Sequence, residues 1–383
     1  MRRAFMMLFA VLQGLLAARV ALRMVATPGG STIRRQTGAL EASGDVTVLV
    51  PVLNEVGRLA PCLDGLMLQG AEVREILVID GGSSDGTQDL VDRFAGRDER
   101  IRLVDAAPVP ELVNGKAHGL AAGMAEADPE VRWILTIDAD VRPKPGLVQS
   151  LLAHARQEGV RALSVATRQR LSGAAEGVVH PSMLATLVYR HGIPGGATTR
   201  LDLTQANGQC FLMRREVLDA VGGFPAVTRS ICEDVHLARN IARRGEPIGF
   251  YESDNLVTVE MYAGWRDAWT NWARSLPMLD GQPVWRSRLG LAEIALVQAA
   301  PLAQAVIGTL VVGPRHPLTR MGIGLLMMRF GVLAGMSRAY EQRPWTYWLS
   351  PLADLPVVMR IAYMGTRRRH TWRGRDLVDG ENR

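Results

Sequence analysis

"ILTIDADVRP", residues 134–143, is an apolar run that ends in two aspartates one residue apart. A buried strand therefore carries two carboxylates at its tip. Asp138 and Asp140 form the only Asp-x-Asp in the sequence, and a chain of this length supplies about one by chance, so alone the pair reads as a surface turn. Its neighbours change that reading. "VTVLVPV" (Val46–Val52), "EILVID" (75–80), "IRLVDA" (101–106) and "WILTID" (133–138) are short β-branched runs too apolar for half-exposed strands. Amphipathic stretches such as "DGTQDLVDRFAG" and "GLVQSLLAHARQEG" separate them, with Gly and Pro at the joints. Strand, helix, strand at this spacing predicts an α/β domain with a mostly parallel sheet and helices on both faces. In such sheets ligands bind outside the carboxyl ends of the strands, where Asp80, Asp105 and Asp138 each close a strand.

The 383 residues carry a formal charge of +6, which admits nucleic acid, an anionic membrane surface or a phosphorylated substrate as partner. Neither zinc-finger spacing nor a single-stranded nucleic-acid signature is present, so the expected partners exclude nucleic acid. Cys62, Cys210 and Cys232 lack paired or metal-like spacing and read as small buried residues of a reduced, cytosol-facing protein.

Hydrophobicity is concentrated at the two ends. "AFMMLFAVLQGLLAA" follows Arg2 and Arg3 and is about 15 residues long, short of the ~20 needed to span. A secretory signal fits this plan, but Arg19, Arg23, Arg34 and Arg35 follow, which favours an anchor over 1–25 with the next domain in the cytoplasm. From residue 289 to 365 three more apolar segments appear, with Glu293, Arg329, Asp354 and Arg360 inside them. Such charges are costly in a bilayer and face protein or a polar cavity. A basic tail, 366–383, closes the chain at the cytoplasmic face of the cell membrane.

Several stretches in and after the α/β region carry chemistry. In "VIDGGSSDGT", Gly81 and Gly82 permit a tight turn, and Asp80 and Asp85 supply acceptors for a base or ribose; neither the P-loop nor the dinucleotide glycine pattern is present. Asp138 and Asp140 suit Mg²⁺ or Mn²⁺, which takes one or two protein carboxylates and completes its shell with phosphate and water. In "SICEDVHLARNIARRGEPIGF", Glu233 and Asp234 stand at a helix start; they read as capping acids or, for Asp234, as a general base. Lys116 in "VNGKAHGLAAG" heads another helix, either solvated or facing an anionic donor. "YAGWRDAWTNWARSL" places Tyr262, Trp265, Trp269, Trp272 and Leu276 at helical intervals with Arg274 opposite. This stripe over 261–285 reads as an interfacial helix lying on the membrane, with a core face as the alternative. No histidine shows paired ligand spacing.

Six stretches, "VLVPVLNE", "VIDGGSSDGT", "NGKAHGLAAG", "TIDADVRP", "ANGQCFLMRREVLDAVGGF" and "CEDVHLARNI", occur in the order seen in family 2 glycosyltransferases of the GT-A fold. The resemblance covers roughly residues 46–279, with the catalytic domain at 44–260. The ending "TWRGR" and the apolar segments resemble the membrane-bound branch of ceramide glucosyltransferases and bacterial carotenoid or hopanoid glycosyltransferases.

The resemblance implies a nucleotide-sugar donor, a UDP-sugar by family default, bound by Pro51, Asn54, Glu55, Asp80, Asp85, Lys116 and Asp138. Asp138 and Asp140 would hold the metal, with Gln205, Asn207, Gly208, Gln209 and Glu233 on the acceptor side. Asp234 would be the base and Arg274 a catalytic cation in an inverting transfer to a membrane lipid. The Gln-x-x-Arg-Trp motif of processive members is incomplete, because Ser275 follows Arg274. That favours addition of one sugar over a processive polysaccharide synthase. A polyprenyl-phosphate glycosyltransferase and a noncatalytic sugar-nucleotide-binding membrane protein are the other readings.

Overall fold

The computed structural model describes residues 2–26, 30–36, 44–171, 173–260, 262, 264–367, 369–372 and 375–378. Arg368, Arg373, Gly374 and residues 379–383 of the expected basic tail lie outside the described residues. Two compact units form: a helical one of Met1–Thr27, Arg170–Ile193 and Tyr262–Arg367, and an α/β one of Pro28–Gln169, Pro194–Met261 and Arg368–Arg383.

In the α/β unit the first apolar runs become strands β1 (Val46–Val52), β2 (Val73–Asp80), β3 (Ile101–Asp105) and β4 (Trp133–Ile137). They lie parallel in the order β3-β2-β1-β4. The order reverses at β1, with β2 on one side and β4 on the other, and ligands of open α/β sheets collect at such a reversal. Beyond β4 the sheet continues with β6 (Cys210–Arg214), β5 (Ala162–Ala166) and β7 (Ile248–Ser253). Here β6 runs antiparallel to both neighbours, so its amino end meets the rim formed by the carboxyl ends of the others. The sheet is thus mostly parallel, as the sequence predicts, but β6 and the short strand Gly196–Thr198, which pairs with β7, run antiparallel to their neighbours, and the spacing did not reveal them.

Successive residues of the strands feed two different cores. Val48, Val50, Ile76, Val78 and Leu135 join one hydrophobic cluster, and Leu49, Leu77, Ile79 and Ile134 join the other. Both faces are covered, the first by α1 (Leu59–Met67), α2 (Thr87–Ala95) and α4 (Leu147–Glu158), the second by α3 (Gly115–Glu126) and α5 (Glu233–Arg243). Each buried Val, Leu or Ile side chain contributes roughly 1.5–3 kcal/mol, which is why these runs are continuously apolar instead of alternating. Pro51 fits inside β1 because pairing with β4 stops at Leu49, so its missing N–H costs no bond on that side.

In the helical unit the first helix covers Arg2–Val25, longer than its apolar stretch suggested, because Arg19 and Arg23 continue it. Among the described residues, three helices are long and apolar enough to cross a membrane: Met6–Val25, Val284–Val311 and Pro317–Ala339. The last apolar segment instead breaks into a 3₁₀ turn, Trp345–Ala353, and a helix, Asp354–Thr366. Glu293, Arg329 and Asp354 inside these segments are ion-paired, whereas the Arg360 guanidinium lies over the Trp269 and Tyr363 rings. Glu293 accepts from Arg19 at 2.6 Å and from Arg23 at 2.9 Å. Arg329, fully buried, meets Asp354 at 2.8 Å, and Asp354 also accepts from Ser182 and Gln298. Paired and hydrogen-bonded, such groups escape most of the penalty an isolated charge would meet. The aromatic stripe is divided: Trp265 is exposed, whereas Trp269 and Trp272 pack against the hydrophobic core of this unit. The helical run there passes through a π turn at Ala268–Trp272, which rotates the stripe and sends part of it inward.

Gly65 fixes how α1 meets the chain just after Asp140. A Cβ on Gly65 would lie 2.2 Å from the Pro143 carbonyl oxygen, a backbone atom that cannot swing away. Gly65→Ala gains up to ~1 kcal/mol of helix propensity. The overpacking costs about 1–3 kcal/mol. The variant is therefore expected to melt several degrees lower in a thermal scan, and an unchanged midpoint would contradict the close approach.

Candidate active site

The rim at the carboxyl ends of β1, β2 and β4 is built by short loops. After β4, Asp138, Ala139 and Asp140 form a tight turn in which the Val141 N–H donates to the Asp138 carbonyl at 3.1 Å. The chain then leaves the main sheet, and Val141–Pro143 pairs antiparallel with Val257–Val259. Asp138 and Asp140 are thereby left at the opening between two sheets. Across from them β6 begins, with Cys210 opposite Ile137, and the Asp138 N–H donates to the Gln209 carbonyl at 3.3 Å.

Lys116 stands at the centre of the charged groups. Its Nζ lies 2.7 Å from Asp138 Oδ1 and 3.1 Å from Glu233 Oε1. Burial works against the ammonium, but Asp138, Glu233 and Asp234 outweigh it and hold its pKa above the usual lysine value. Asp234 Oδ2 accepts from the Gly208 N–H at 2.6 Å, and Oδ1 from the Val235 N–H at 2.8 Å. Burial, then the neighbouring Glu233 carboxylate, pushes the Asp234 carboxyl up to about 7. Glu233 moves the other way: burial would raise it, but Lys116 and the Asn114 amide more than compensate. A Cβ on Gly208 would stand 2.6 Å from Lys116 Nζ and 3.2 Å from Asp234 Oδ2, so a larger residue there would displace the Lys116 ammonium from its present position.

Asp140 is pushed up to about 7 by burial and by Asp138, with Arg58 opposing. Asp138 is raised too, by burial before any other cause. Asp140 Oδ1 is buried and has no hydrogen-bond partner. A buried acceptor without a donor beside a second carboxylate fits a hard divalent cation, which would satisfy that oxygen and relieve the repulsion. Among the described residues no three His, Cys, Asp or Glu side chains are grouped to hold a metal.

The loops that follow β1 and β2 interlock. Asp80 is fully buried, and its oxygens accept from the Gly82 and Ser83 N–H groups, the Ser83 hydroxyl and Gln88 Nε2. The Ser83 hydroxyl accepts from the Asn54 N–H at 2.8 Å, and Asn54 Oδ1 accepts from the Ser84 N–H at 2.9 Å. Asp85 accepts from the Val56 N–H at 3.1 Å and the Thr87 N–H at 3.0 Å. Asn54 adopts φ 55°, in the left-handed region that asparagine tolerates better than most residues. Asp80 and Asp85, expected to hold the nucleotide directly, are here the framework of the loop, and Asp85 alone of the two is exposed. Glu55 is buried and ion-paired to Arg58 at 2.9 Å. On the other side, Gln209 Oε1 accepts from Thr167 at 2.6 Å and from Asn207 Nδ2 at 3.0 Å, which shapes the turn around Gly208. Gln205 is buried beside it. Arg274 belongs to the helical unit.

Residues 47–222 match the family model described as Glycosyl transferase family 2. This region is a family 2 glycosyltransferase domain. The chain is 27% identical over 236 residues to a probable glycosyltransferase, YdaM, of Bacillus subtilis, and 26% identical over 113 residues to the glycosyltransferase GlyG of Streptococcus pneumoniae. These alignments cover 60% and 30% of this chain and 54% and 36% of those proteins, so it spans about half or less of the curated relatives. In structure it is similar to the mannosyltransferase PcManGT of Pyrobaculum calidifontis, solved with GDP-Man and Mn²⁺. The TM-score is 0.53 at 19% identity, over 92% of this chain and 97% of that one. That likeness shows the GT-A fold.

Two residues beside these groups carry no signal in the sequence that marks them out. Arg58 follows the Asn54-Glu55 loop by three residues and is the cation nearest Asp140 by electrostatic effect. Asn114 looks like a helix cap and nothing more, but its amide also reaches Glu233. Only the residue type at a helix start hinted at Asn114, and that signal is shared by every capped helix.

The raised Asp234 carboxyl has a stability consequence. An aspartate whose folded pKa lies above its unfolded value opposes folding as pH rises between the two, and the penalty is complete above about 7. Asp234→Asn keeps an acceptor for the Gly208 N–H and removes the charge. Its melting point is expected to exceed wild type by a few degrees at pH 8 and to converge with it near pH 4 in differential scanning fluorimetry. A midpoint lower than wild type at pH 8 contradicts the electrostatics of the cluster.

Proposed function

We propose that this protein is an inverting, metal-dependent glycosyltransferase that moves one sugar from a nucleotide-sugar donor, a UDP-sugar by family resemblance, to a hydroxyl of a membrane lipid. A carotenoid, another isoprenoid or a sphingolipid is the acceptor class that the resemblance suggests. The observation that carries the reading is the convergence of Asp138, Glu233 and Asp234 on the Lys116 ammonium at the carboxyl ends of the strands. A carboxylate raised to about 7 is tuned to take a proton near neutral pH.

In this reading Asp234 accepts the acceptor hydroxyl's proton as the oxygen attacks the anomeric carbon. The Gly208 N–H fixes the orientation of the Asp234 carboxylate, and Glu233 keeps it a stronger base than an isolated aspartate. Lys116, ion-paired to Asp138, presents a fixed positive charge on the donor side, which favours an anionic diphosphate. Mg²⁺ or Mn²⁺ on Asp138 and Asp140 supplies neutralisation of the charge that the leaving diphosphate gathers. The GDP-Man and Mn²⁺ bound to the structurally similar mannosyltransferase agree with a donor and metal of this class. Arg274 is assigned to the same leaving-group charge. The helices Met6–Val25, Val284–Val311 and Pro317–Ala339, with Leu8, Leu310 and Met327 between 68% and 81% exposed, suit a cell-membrane setting in which an apolar acceptor is presented. Arg34 and Arg35, which follow the first span, favour a cytoplasmic side for the α/β unit.

Membranes containing the protein, incubated with labelled UDP- and GDP-sugars, are expected to yield a labelled lipid whose mass rises by one sugar. Labelled polymer would point to the processive alternative, and donor binding without any labelled lipid to the noncatalytic one. Asp234→Asn is expected to lower transfer by at least ~10²-fold while donor affinity stays within about threefold. Equal loss of both would remove Asp234 from the role of base. Because the base must be ionised, kcat/KM should fall tenfold per pH unit below about 7 and level off above it. An acid limb near the ordinary aspartate value of ~4 in the pH–rate profile would count against this assignment.

A further inference from the structure

One amide joins the two helices that bear the charged groups. Asn114, 4% exposed, precedes α3, and its Oδ1 accepts from the Lys116 N–H at 3.0 Å and the Ala117 N–H at 3.2 Å. Its Nδ2 donates to the Ser230 carbonyl at 2.9 Å and to Glu233 Oε2 at 3.1 Å. Its backbone N–H donates to the Thr228 carbonyl at 2.7 Å. All four hydrogen-bonding directions of the amide are in use, and exchanging oxygen for nitrogen would oppose like groups on both sides, so its orientation is determined.

Capping a helix needs only the oxygen, and serine or aspartate would serve as well. The nitrogen has no capping task, yet it is spent on the loop before α5 and on the carboxylate beside Asp234. We propose that Asn114 is a positioning residue for the transfer base, fixing Glu233 and the start of α5 so that Asp234 stands against Gly208 with Lys116 between the donor and acceptor carboxylates. The proposal rests on the reading of Asp234 as base. Asn114 itself touches no substrate; it acts through Glu233.

The test separates the two ends of the amide. Asn114→Ser keeps a capping oxygen and loses the donor to Glu233. Asn114→Asp keeps the cap and sets a like charge against Glu233. Adding Glu233→Gln to Asn114→Asp restores a hydrogen bond with donor and acceptor exchanged. Expected for Asn114→Ser is a melting point close to wild type, a donor KM within about twofold and a kcat lowered roughly tenfold, since small misplacements of reacting groups cost rate before binding. Asn114→Asp should lose about a hundredfold, and the double variant should recover at least about tenfold over Asn114→Asp, as coupled neighbours do. A capping role alone predicts unchanged kcat in both single variants and no recovery in the double, and either result overturns the proposal. Wild-type protein without transfer activity overturns the base reading and this proposal with it. Active wild type with unaffected Asn114→Ser overturns this proposal alone.

Discussion

The Lys116 ammonium holds the site together. Asp138 comes from the end of β4, Glu233 and Asp234 from the start of α5, and Lys116 from the first turn of α3. Carboxylates brought this close repel one another unless a cation sits among them, and one lysine does not balance the set. Burial first, and then this excess of negative charge, raises the carboxyls of Asp140 and Asp234. An apo site in this condition is preorganised for positive charge: a divalent ion on the Asp138 side, and a hydroxyl proton on the Asp234 side. Both halves of the proposed chemistry thus have one electrostatic origin.

Geometry makes this crowding possible through three small or special backbones. Gly208 allows the turn before β6 to press on Lys116 and Asp234, where a larger residue would displace the Lys116 ammonium. Gly65 lets α1 approach the strand that follows Asp140. The reversed direction of β6 brings residues 205–209 to the rim by the strand's amino end, so this loop and the loops that follow the parallel strands meet without a long connection. The cost of such an arrangement is stability near neutral pH, the usual trade in sites whose groups are held away from their preferred ionisation.

Much of this was legible in the sequence, for a physical reason. Buried parallel strands need continuous apolar runs, and Val46–Val52 is bounded in the structure where its sequence pattern ends. Asp138 and Asp140 stand out because they close one of several parallel apolar runs, at the edge of the sheet where ligands collect; the pair alone reads as a surface turn. The antiparallel β6 was not legible, since direction leaves no trace in a five-residue apolar strand. Asn114 and Arg58 were hidden for a related reason: their bonds join segments more than a hundred residues apart or pass through space, and a cap or a surface arginine has the same local pattern in either case.

The charges in the apolar segments follow the same logic as the site but reach the opposite state. Glu293 with Arg19 and Arg23, and Asp354 with Arg329, Ser182 and Gln298, set each buried acid against at least one guanidinium. The α/β rim keeps acids in excess, with the buried Asp140 Oδ1 left without a donor. Balanced charge is what a segment surrounded by apolar residues requires to fold, because an unmatched ion there has no solvent to turn to. Unbalanced charge survives only where a ligand can complete it, so the contrast between the two units separates structural ion pairs from a site prepared for a cation and a diphosphate.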